Sequence, residues 1–333
     1  MKFARRIYVA SAIAGVTLLL SISASATTTC TWTDTGTVRQ LNDDCTTDET
    51  LGIPDGFTFD GNGFQITAVD PAGDHFRGAV LANDGTTAHI IDVLITAELT
   101  VNACDSGADR LRGIMFEGAS GSISHSTIVN INQGASGCQE GNAIEVRNAP
   151  FDGSHPNLQS VEIFHVIVDA YQKSGIVCNG DVTCNIHHNN LGNSATQDNL
   201  AANTVQIGFG GGGSVIHNHI LGNQWRGASE FAATAVLVFS AADGVEVSLN
   251  NIGGNADVGL FFLSDNGVVD NNRIFERGDD IQPFDIGLGN FGTGNVVTNN
   301  KVRGYRTPSD GDTTGTKAIP APQDPTACQQ TCD

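Results

Sequence analysis

The chain has 333 residues, of which 16 are basic and 36 acidic, giving a formal net charge of −20. So large an acidic excess opposes binding to nucleic acid or to anionic membranes, because both require a basic surface. Forty glycines and only three tyrosines favour a protein with many tight turns.

The first 26 residues are typical of an export signal. Lys2, Arg5 and Arg6 form a basic start, residues 7–22 are largely apolar, and residues 24–26 (Ala-Ser-Ala) provide a small-residue cleavage site. Without this segment, 13 basic and 36 acidic residues remain, a net charge of −23 for the mature chain. No other apolar run approaches the roughly 20 residues of a membrane-spanning helix. We therefore expect a secreted protein, extracellular or periplasmic, with no membrane span.

A six-residue pattern, apolar-x-x-Asn-x-apolar, recurs along the chain. Its clearest copies are at 186–191, 215–220, 247–252, 269–274 and 297–302. Weaker copies at 59–64, 90–95, 123–128 and 163–168 carry Asn62, Val93, Ser126 and Val166 at the fourth position. Such regular copies indicate a solenoid, since one coil cannot bury its apolar side chains alone but a stack of coils can.

A second short apolar run, bounded by Gly and Asn, precedes most copies and predicts another strand. These runs are at 113–116, 143–146, 175–178, 204–207, 235–238 and 259–262. Each copy then supplies two strands, a tight Asn turn, a third strand and a loop of variable length. The fourth-position asparagines should stack inside the solenoid, where each buried amide bonds the backbone and the next Asn.

The pattern predicts an all-β fold, a right-handed parallel β-helix of about nine coils over residues 51–305. Residues 27–50 are expected to form an N-terminal cap, because an open solenoid end needs covering. Residues 306–333 are rich in Pro, Thr, Asp and Gly without an apolar period, and predict a flexible tail.

The eight cysteines predict disulfides, because an even count in an exported chain is typical of an oxidising compartment. The expected pairs are Cys30 with Cys45, Cys104 with Cys138, Cys178 with Cys184, and Cys328 with Cys332. No Cys-x-x-Cys motif occurs, so neither a zinc site nor a redox pair is indicated.

The repeats resemble those of the pectate-lyase-like right-handed β-helix superfamily. The segments YQKSGIVCNG (171–180) and TVQIGFG (204–210), with the run 44–63, resemble a group of bacterial secreted β-helix proteins of unassigned activity. The resemblance implies the fold, but one fold hosts many reactions. By analogy with β-helix polysaccharide enzymes, it implies a cleft along one sheet, walled by the variable loops.

Strand alternation on the Gly-Ile-x-Val-type strands points Glu145, Arg147 and Gln206 outward, with Lys173 entering the same sheet. We hypothesise a carbohydrate cleft with Lys173 or Arg147 as base and Glu145 as its partner or as a calcium ligand. Such a site suits β-elimination from a uronide. Neighbouring loops add substrate-binding candidates and further charged residues: Arg112, Trp225, Arg226, Arg77 and Glu230. Trp225 is the expected sugar platform. The alternative is a scatter of exposed polar side chains.

Two further features are weaker. Arg277-Gly-Asp-Asp280, followed by Asp285, resembles one motif of the polygalacturonase branch. The Gly-His-Gly and Arg-Ile-Lys strings of that branch are missing, which favours a polar loop. The residue before the fourth position is His in four consecutive copies: His125, His165, His188 and His217. This predicts an imidazole row, either a stacking ladder or a transition-metal site.

The sequence therefore predicts a secreted carbohydrate-active or carbohydrate-binding β-helix protein, polysaccharide lyase-like if it is an enzyme, with polysaccharide as the expected partner. The other hypothesis is a non-catalytic surface or interaction protein that presents a solenoid face. The strong negative charge favours that second hypothesis, whereas the uneven loops with Trp225 and several arginines favour a cleft.

Overall fold

The computed structural model describes residues 27–148, 158–194, 200–227, 231–276 and 284–319. Its strands form three sheets. The first sheet contains β1 (Trp32–Thr35), β2 (Val38–Leu41), β5 (Phe57–Asp60), β8 (Thr87–Ile91), β11 (Ser120–Ser124), β14 (Gln159–Phe164), β17 (Val182–His187), β20 (Gly212–Ile216), β23 (Glu246–Ser248), β26 (Val268–Asp270) and β29 (Val296–Thr298).

The second sheet contains β3 (Cys45–Thr47), β6 (Gln65–Val69), β9 (Leu94–Glu98), β12 (Thr127–Val129), β15 (Ile167–Asp169), β18 (Asn190–Leu191), β21 (His219–Leu221), β24 (Asn251–Gly253), β27 (Arg273–Phe275), β30 (Lys301–Arg303) and β32 (Lys317–Ile319). The third sheet contains β4 (Leu51–Ile53), β7 (Ala79–Asn83), β10 (Arg112–Glu117), β13 (Asn142–Arg147), β16 (Ser174–Asn179), β19 (Asn203–Gly208), β22 (Thr234–Phe239), β25 (Val258–Leu263), β28 (Ile286–Asn290) and β31 (Thr307–Gly311). A short 3₁₀ helix spans Gly107–Asp109.

Each coil runs from the third sheet to the first and then to the second, and neighbouring coils pair in parallel in all three sheets. The antiparallel pairing of β1 with β2 is the exception. The loop of variable length leads from the second sheet back to the third. This arrangement confirms the predicted right-handed parallel β-helix, and it aligns the variable loops along one side of the third sheet.

The core is a stack of equivalent apolar positions, one from each coil. In the third sheet one such row is fully buried and in register from strand to strand: Ile114, Ile144, Ile176, Val205, Val236, Leu260 and Leu288. Burying a side chain of this size contributes about 1.5–3 kcal/mol. The row therefore fixes the register, because a one-residue slip would turn these side chains to solvent.

An asparagine ladder runs through the later coils as predicted, formed by Asn189, Asn218, Asn250, Asn272 and Asn300. The amide nitrogen of each of the first four donates to the side-chain oxygen of the next Asn, at 2.9–3.1 Å. The same oxygens accept the backbone N–H groups of the preceding Asn. Every ladder side chain is at least 96% buried, so the hydrogen bonds satisfy amides that would otherwise be costly to bury.

The prediction was wrong for Asn62, which is exposed and has a left-handed backbone with φ of 54°. Phe59 pairs with Ile90, and Ile66 pairs with Ile95. Seven residues separate Phe59 from Ile66, whereas only five separate Ile90 from Ile95 in the next coil. The turn of this coil is thus longer by two residues, and Asn62 lies at its outer tip.

Three predicted disulfides are present: Cys30–Cys45, Cys104–Cys138 and Cys178–Cys184. The second joins loops of adjacent coils and the third closes the turn between β16 and β17. Cys328 and Cys332 lie outside the described residues. Three disulfides indicate an oxidising compartment. In the described part of the chain, we find no helix of the length and apolar character that crossing a membrane requires.

The sheets extend further than the predicted boundaries at both ends. Within residues 27–50, β2 and β3 already pair with the following coil. Beyond Tyr305, β31 and β32 add a strand to the third and second sheets. Short polar strands can pair here because the preceding coil offers unpaired backbone groups. The predicted export signal, residues 1–26, and residues 320–333 lie outside the described residues.

Candidate functional site

A groove of about 610 Å³ lies on the outer face of the third sheet, above β13, β16, β19 and β22. Of the predicted site residues, Glu145, Lys173, Gln206 and Trp225 all line it. They come from four successive coils, since parallel strands about 4.8 Å apart place side chains from distant sequence positions side by side. We call this the third-sheet groove.

Glu145 sits in the floor of the groove and is 6% exposed. Its Oε2 accepts hydrogen bonds from Arg112 Nε at 2.5 Å and Asn142 Nδ2 at 2.9 Å. Burial alone would raise the pKa of this carboxyl, but the charge and hydrogen bond of Arg112, with Asn142 and Arg147, hold the pKa below its ordinary value. Glu145 is therefore a fixed carboxylate near neutral pH.

Arg112 was predicted as a substrate-binding loop residue, and this was wrong. It begins β10 and is 1% exposed. Beyond Glu145, its guanidinium donates to the carbonyls of Gly107, Ala108 and Arg110. A buried guanidinium needs such partners to offset its desolvation, so Arg112 holds Glu145 in place from below and faces no substrate.

The structure places Arg147, hypothesised as an alternative base, and Glu145, hypothesised as a calcium ligand, in ion pairs with neighbouring side chains. Arg147 Nη2 lies 3.1 Å from Glu117 Oε2, and its Nη1 lies 3.8 Å from Glu145 Oε1. Arg147 is thus held between two carboxylates, and it is not among the described residues that line the groove. The positive charges of Arg112 and Arg147 beside Glu145 disfavour a divalent cation at this carboxylate.

Lys173 lies at the edge of the groove, just before β16. Its backbone is held between coils, donating from N–H to Gly141 and accepting from the N–H of Asn203. The ammonium donates to the carbonyl of Ala201 at 2.5 Å. Burial disfavours the charged form and lowers the pKa of Lys173 to about 8. Part of the population is therefore a neutral amine just above pH 7, as a general base requires.

Amide side chains continue the floor past Glu145. Asn203 Nδ2 donates to Gln206 Oε1 at 3.1 Å, and Gln206 Nε2 donates to Asn179 Oδ1 at 3.3 Å. Two other polar atoms are buried without a protein partner, Asn142 Oδ1 and Arg110 Nε. Buried polar groups are nearly always hydrogen-bonded, so these two atoms are exceptions beside the groove floor.

Aromatic side chains form the walls of the groove. Phe209 and Phe239 meet edge to face at 5.6 Å, and Trp225 meets Phe231 at 6.2 Å. Phe209 is 55% exposed and Phe231 61%. The backbone N–H of Trp225 donates to the buried carboxylate of Asp257 at 2.8 Å, which anchors its loop. Exposed aromatic groups beside a polar floor are typical of a binding surface.

Arg110 and the phenylalanines of the groove were not predicted from the sequence. Phe209 and Phe239 come directly after or at the end of a third-sheet strand, which was a usable signal once the strands were assigned. Phe231 lies in a variable loop, whose path the repeat does not define.

Other predicted residues lie elsewhere. Arg226 lines a separate cavity of about 270 Å³ with Asn193 and Asn255, because it follows Trp225 and points away from the groove. Asp285 is buried and bonded to Arg306 at 2.8 Å, within an ion pair. Arg77 pairs with Asp74 at 2.9 Å. The acidic run 277–280 and Glu230 lie outside the described residues.

Comparisons with known proteins give structural neighbours only. No family model and no curated protein matches the chain. A crystal structure of Dettilon tailspike protein is 11% identical with a TM-score of 0.43, covering 80% of this chain and 55% of that one. This chain thus spans about half the length of the tailspike chain.

Two mutant structures of the periplasmic alginate epimerase AlgG are each 9% identical, with TM-scores of 0.43 and 0.40. They cover 80% and 85% of this chain, and 68% and 84% of the epimerase chain. The fold itself follows from the topology: three parallel sheets, with one strand of each per coil, make this chain a right-handed parallel β-helix.

Proposed function

We propose that this protein is exported and that its third-sheet groove binds an acidic polysaccharide, which it cleaves by lyase-type β-elimination. The observation that carries the proposal is the placement of Lys173, an amine whose pKa is lowered to about 8, in the same groove as exposed aromatic residues and hydrogen-bonding amides. Amides and aromatic rings are the groups that recognise sugar hydroxyls and sugar faces.

The local charge supports an acidic substrate despite the negative protein. Among the described residues lining the groove, the ionisable ones are Arg110, Glu145 and Lys173. Arg112 neutralises Glu145 from below at 2.5 Å. The groove therefore has a net positive character near neutral pH, which favours the carboxylate of a uronic acid. The guanidinium of Arg110, a partly exposed residue of the groove lining, suits an acceptor oxygen of the sugar.

In the proposed reaction, the neutral amine of Lys173 removes the proton from C5 of the uronide. The electron pair of that C–H bond forms the C4=C5 double bond as the bond from C4 to the glycosidic oxygen breaks. The departing oxygen takes a proton from water. A guanidinium beside the uronate carboxylate stabilises the negative charge that develops during proton removal, and Arg110 is the residue we assign to that role.

The test is activity of residues 27–333 on a panel of uronide-containing polysaccharides, followed by the absorbance of the unsaturated product. Parallel reactions contain added calcium or a chelator. Lys173→Met should lower the rate by roughly 10²–10⁴-fold, the range for loss of a general base. Lys301→Met, at an exposed position on β30, is the matched control and should retain full activity. Unsaturated product formed at the wild-type rate by Lys173→Met would contradict the assignment.

Binding without cleavage is the second candidate, and the contact of Lys173 Nζ with the carbonyl of Ala201 favours it, since a hydrogen bond to a carbonyl stabilises the charged ammonium whereas a base must be neutral. Titration of the same polysaccharides, monitored by tryptophan fluorescence, separates the two. Saturable binding without product would support a binding protein. Product formation would support the lyase.

A further inference from the structure

Five histidines form a continuous row on the corner between the first and second sheets, on a different face from the third-sheet groove. His125, His165, His188 and His217 each follow a first-sheet strand, and their ring centroids are 5.0, 5.8 and 5.2 Å apart in that order. His187, the last residue of β17, contacts His188 with centroids 5.2 Å apart. We call these five residues the histidine row.

The backbone does not require histidine at this corner. The four row residues that follow strands have φ values of 50–58°, a left-handed conformation that few residues with a Cβ adopt readily. In other coils, different residues adopt the same left-handed conformation at this position: Asp92, Leu249, Asn271 and Asn299. Yet five of the nine histidines of the chain lie in this row. The imidazoles thus provide a chemistry that the turn itself does not need.

Two pairs of ring nitrogens approach each other closely in the row. His165 Nδ1 lies 3.2 Å from His125 Nε2, and His187 Nδ1 lies 3.0 Å from His188 Nδ1. Two imidazole nitrogens bound to one tetrahedral zinc ion, each at about 2.0–2.1 Å, are separated by about 3.4 Å. Both pairs are therefore within a few tenths of an ångström of the separation that a shared ion imposes.

A carboxylate orients the second pair. His187 Nε2 lies 2.9 Å from Glu162 Oε1, so the ring proton belongs on Nε2 and the lone pair of Nδ1 faces His188. Metal-binding histidines usually donate their second N–H to a carboxylate in this way. Phe164 stacks on His187 with centroids 5.4 Å apart and planes 15° apart, which further fixes the ring.

Glu162 is the carboxylate that contacts the row. Within the described ranges, no three His, Cys, Asp or Glu side chains converge on one point. Each ion would thus have two imidazole ligands, with water in its other positions.

We propose that the histidine row binds a divalent transition-metal ion of the class that prefers imidazole, Zn²⁺ or Cu²⁺. His187 and His188 form the principal site, with Glu162 as the orienting carboxylate, and His125 and His165 form a second site. The site is independent of the proposed reaction in the third-sheet groove. Hard cations such as Ca²⁺ and Mg²⁺ prefer oxygen ligands and are excluded by these donors.

The experiment is isothermal titration of residues 27–333, with any affinity tag removed, using ZnCl₂, CuCl₂, CaCl₂ and MgCl₂ at pH 7.5. We expect saturable binding of the two transition metals and no heat from calcium or magnesium. The electron paramagnetic resonance spectrum of the first Cu²⁺ bound should show nitrogen hyperfine splitting. Absence of transition-metal binding, or a Cu²⁺ spectrum without nitrogen ligands, would overturn the proposal.

Variants locate the ion. His188→Asn keeps a residue type that already occupies this turn position at Asn271 and Asn299, so it should fold, and circular dichroism will check this. It should weaken binding at the principal site at least tenfold. His219→Asn, an exposed histidine on β21 that contacts Asn190 at 3.2 Å, is the control and should bind as the wild type does. Equal affinity of wild type and His188→Asn would refute the assignment.

Discussion

Replacing Glu145 by Gln tests the buried ion pair beneath the groove. The substitution preserves shape but leaves the guanidinium of Arg112, 1% exposed, without its carboxylate. Breaking a buried pair on one side costs about 3–5 kcal/mol. Arg112 retains hydrogen bonds to the carbonyls of Gly107, Ala108 and Arg110, which places the expected loss of unfolding free energy at the lower end, about 3 kcal/mol.

The assay is urea unfolding of residues 27–333 at pH 7, followed by circular dichroism, with both midpoint and slope fitted. Glu117→Gln is the matched control, because Glu117 pairs with Arg147 at 3.1 Å but its side chain is 33% exposed. Exposed pairs contribute about 0–1 kcal/mol. A loss for Glu145→Gln no larger than that of the control would refute the reasoning.

The dependence on pH provides a second check of the same pair. The pKa of Glu145 is lower in the folded protein than its ordinary value of 4.5. A depressed carboxyl pKa stabilises the folded state at pH values above the unfolded pKa, and this stabilisation is lost as pH falls through the folded pKa. The difference between wild type and Glu145→Gln should therefore be constant from pH 5 to 7, and should shrink as the pH falls below 4.5. A difference that grows on acidification would contradict the ion-pair interpretation.

Three further predictions follow from the groove, the ladder and the disulfides. If Lys173 is the base, the elimination rate should rise with pH through a midpoint of about 8, because the neutral amine accepts the proton; a rate that falls over this range would exclude that role. Asn250→Ala should lower the unfolding free energy by at least about 3 kcal/mol, since it leaves the carbonyl of Val215 and several ladder groups without partners. Urea unfolding measures this loss, and a loss below about 1 kcal/mol would contradict a stabilising role for the ladder. Replacing Cys104 and Cys138 by Ala opens a loop closed over a separation of 34 residues and should cost about 3–4 kcal/mol; an unchanged urea midpoint would refute this.

The repeat made the fold predictable because the same residue types recur at equivalent positions of successive coils. An Asn flanked by apolar positions at 189, 218, 250, 272 and 300 has a single consistent explanation, a buried amide stacked on its copies. The apolar rows, the Cys104–Cys138 and Cys178–Cys184 disulfides and the histidine row follow from the same register. Asn62 shows the limit of this reasoning, since the sequence of its coil matches the six-residue motif but its turn is longer in the structure.

The candidate site was only partly predictable. Glu145, Lys173 and Gln206 were placed together because register relates one coil to the next. Arg112 was misassigned because the sequence does not show that a basic residue at a strand start finds a carboxylate 33 residues later in the chain. Phe231 and Arg226 lie on loops, where the path depends on packing against neighbouring coils rather than on any repeating pattern.

The ladder and the disulfides divide the solenoid into two parts with different sensitivity to reductants. All three described disulfides lie between residues 30 and 184, where the fourth positions Val93, Ser126 and Val166 form no amide stack. The stack begins at Asn189, where covalent links within the described chain end. A reductant should therefore loosen the earlier coils and leave the later ones intact, so that a protease would release a resistant fragment beginning near residue 185. The later coils would then persist as a template on which the earlier ones can re-form.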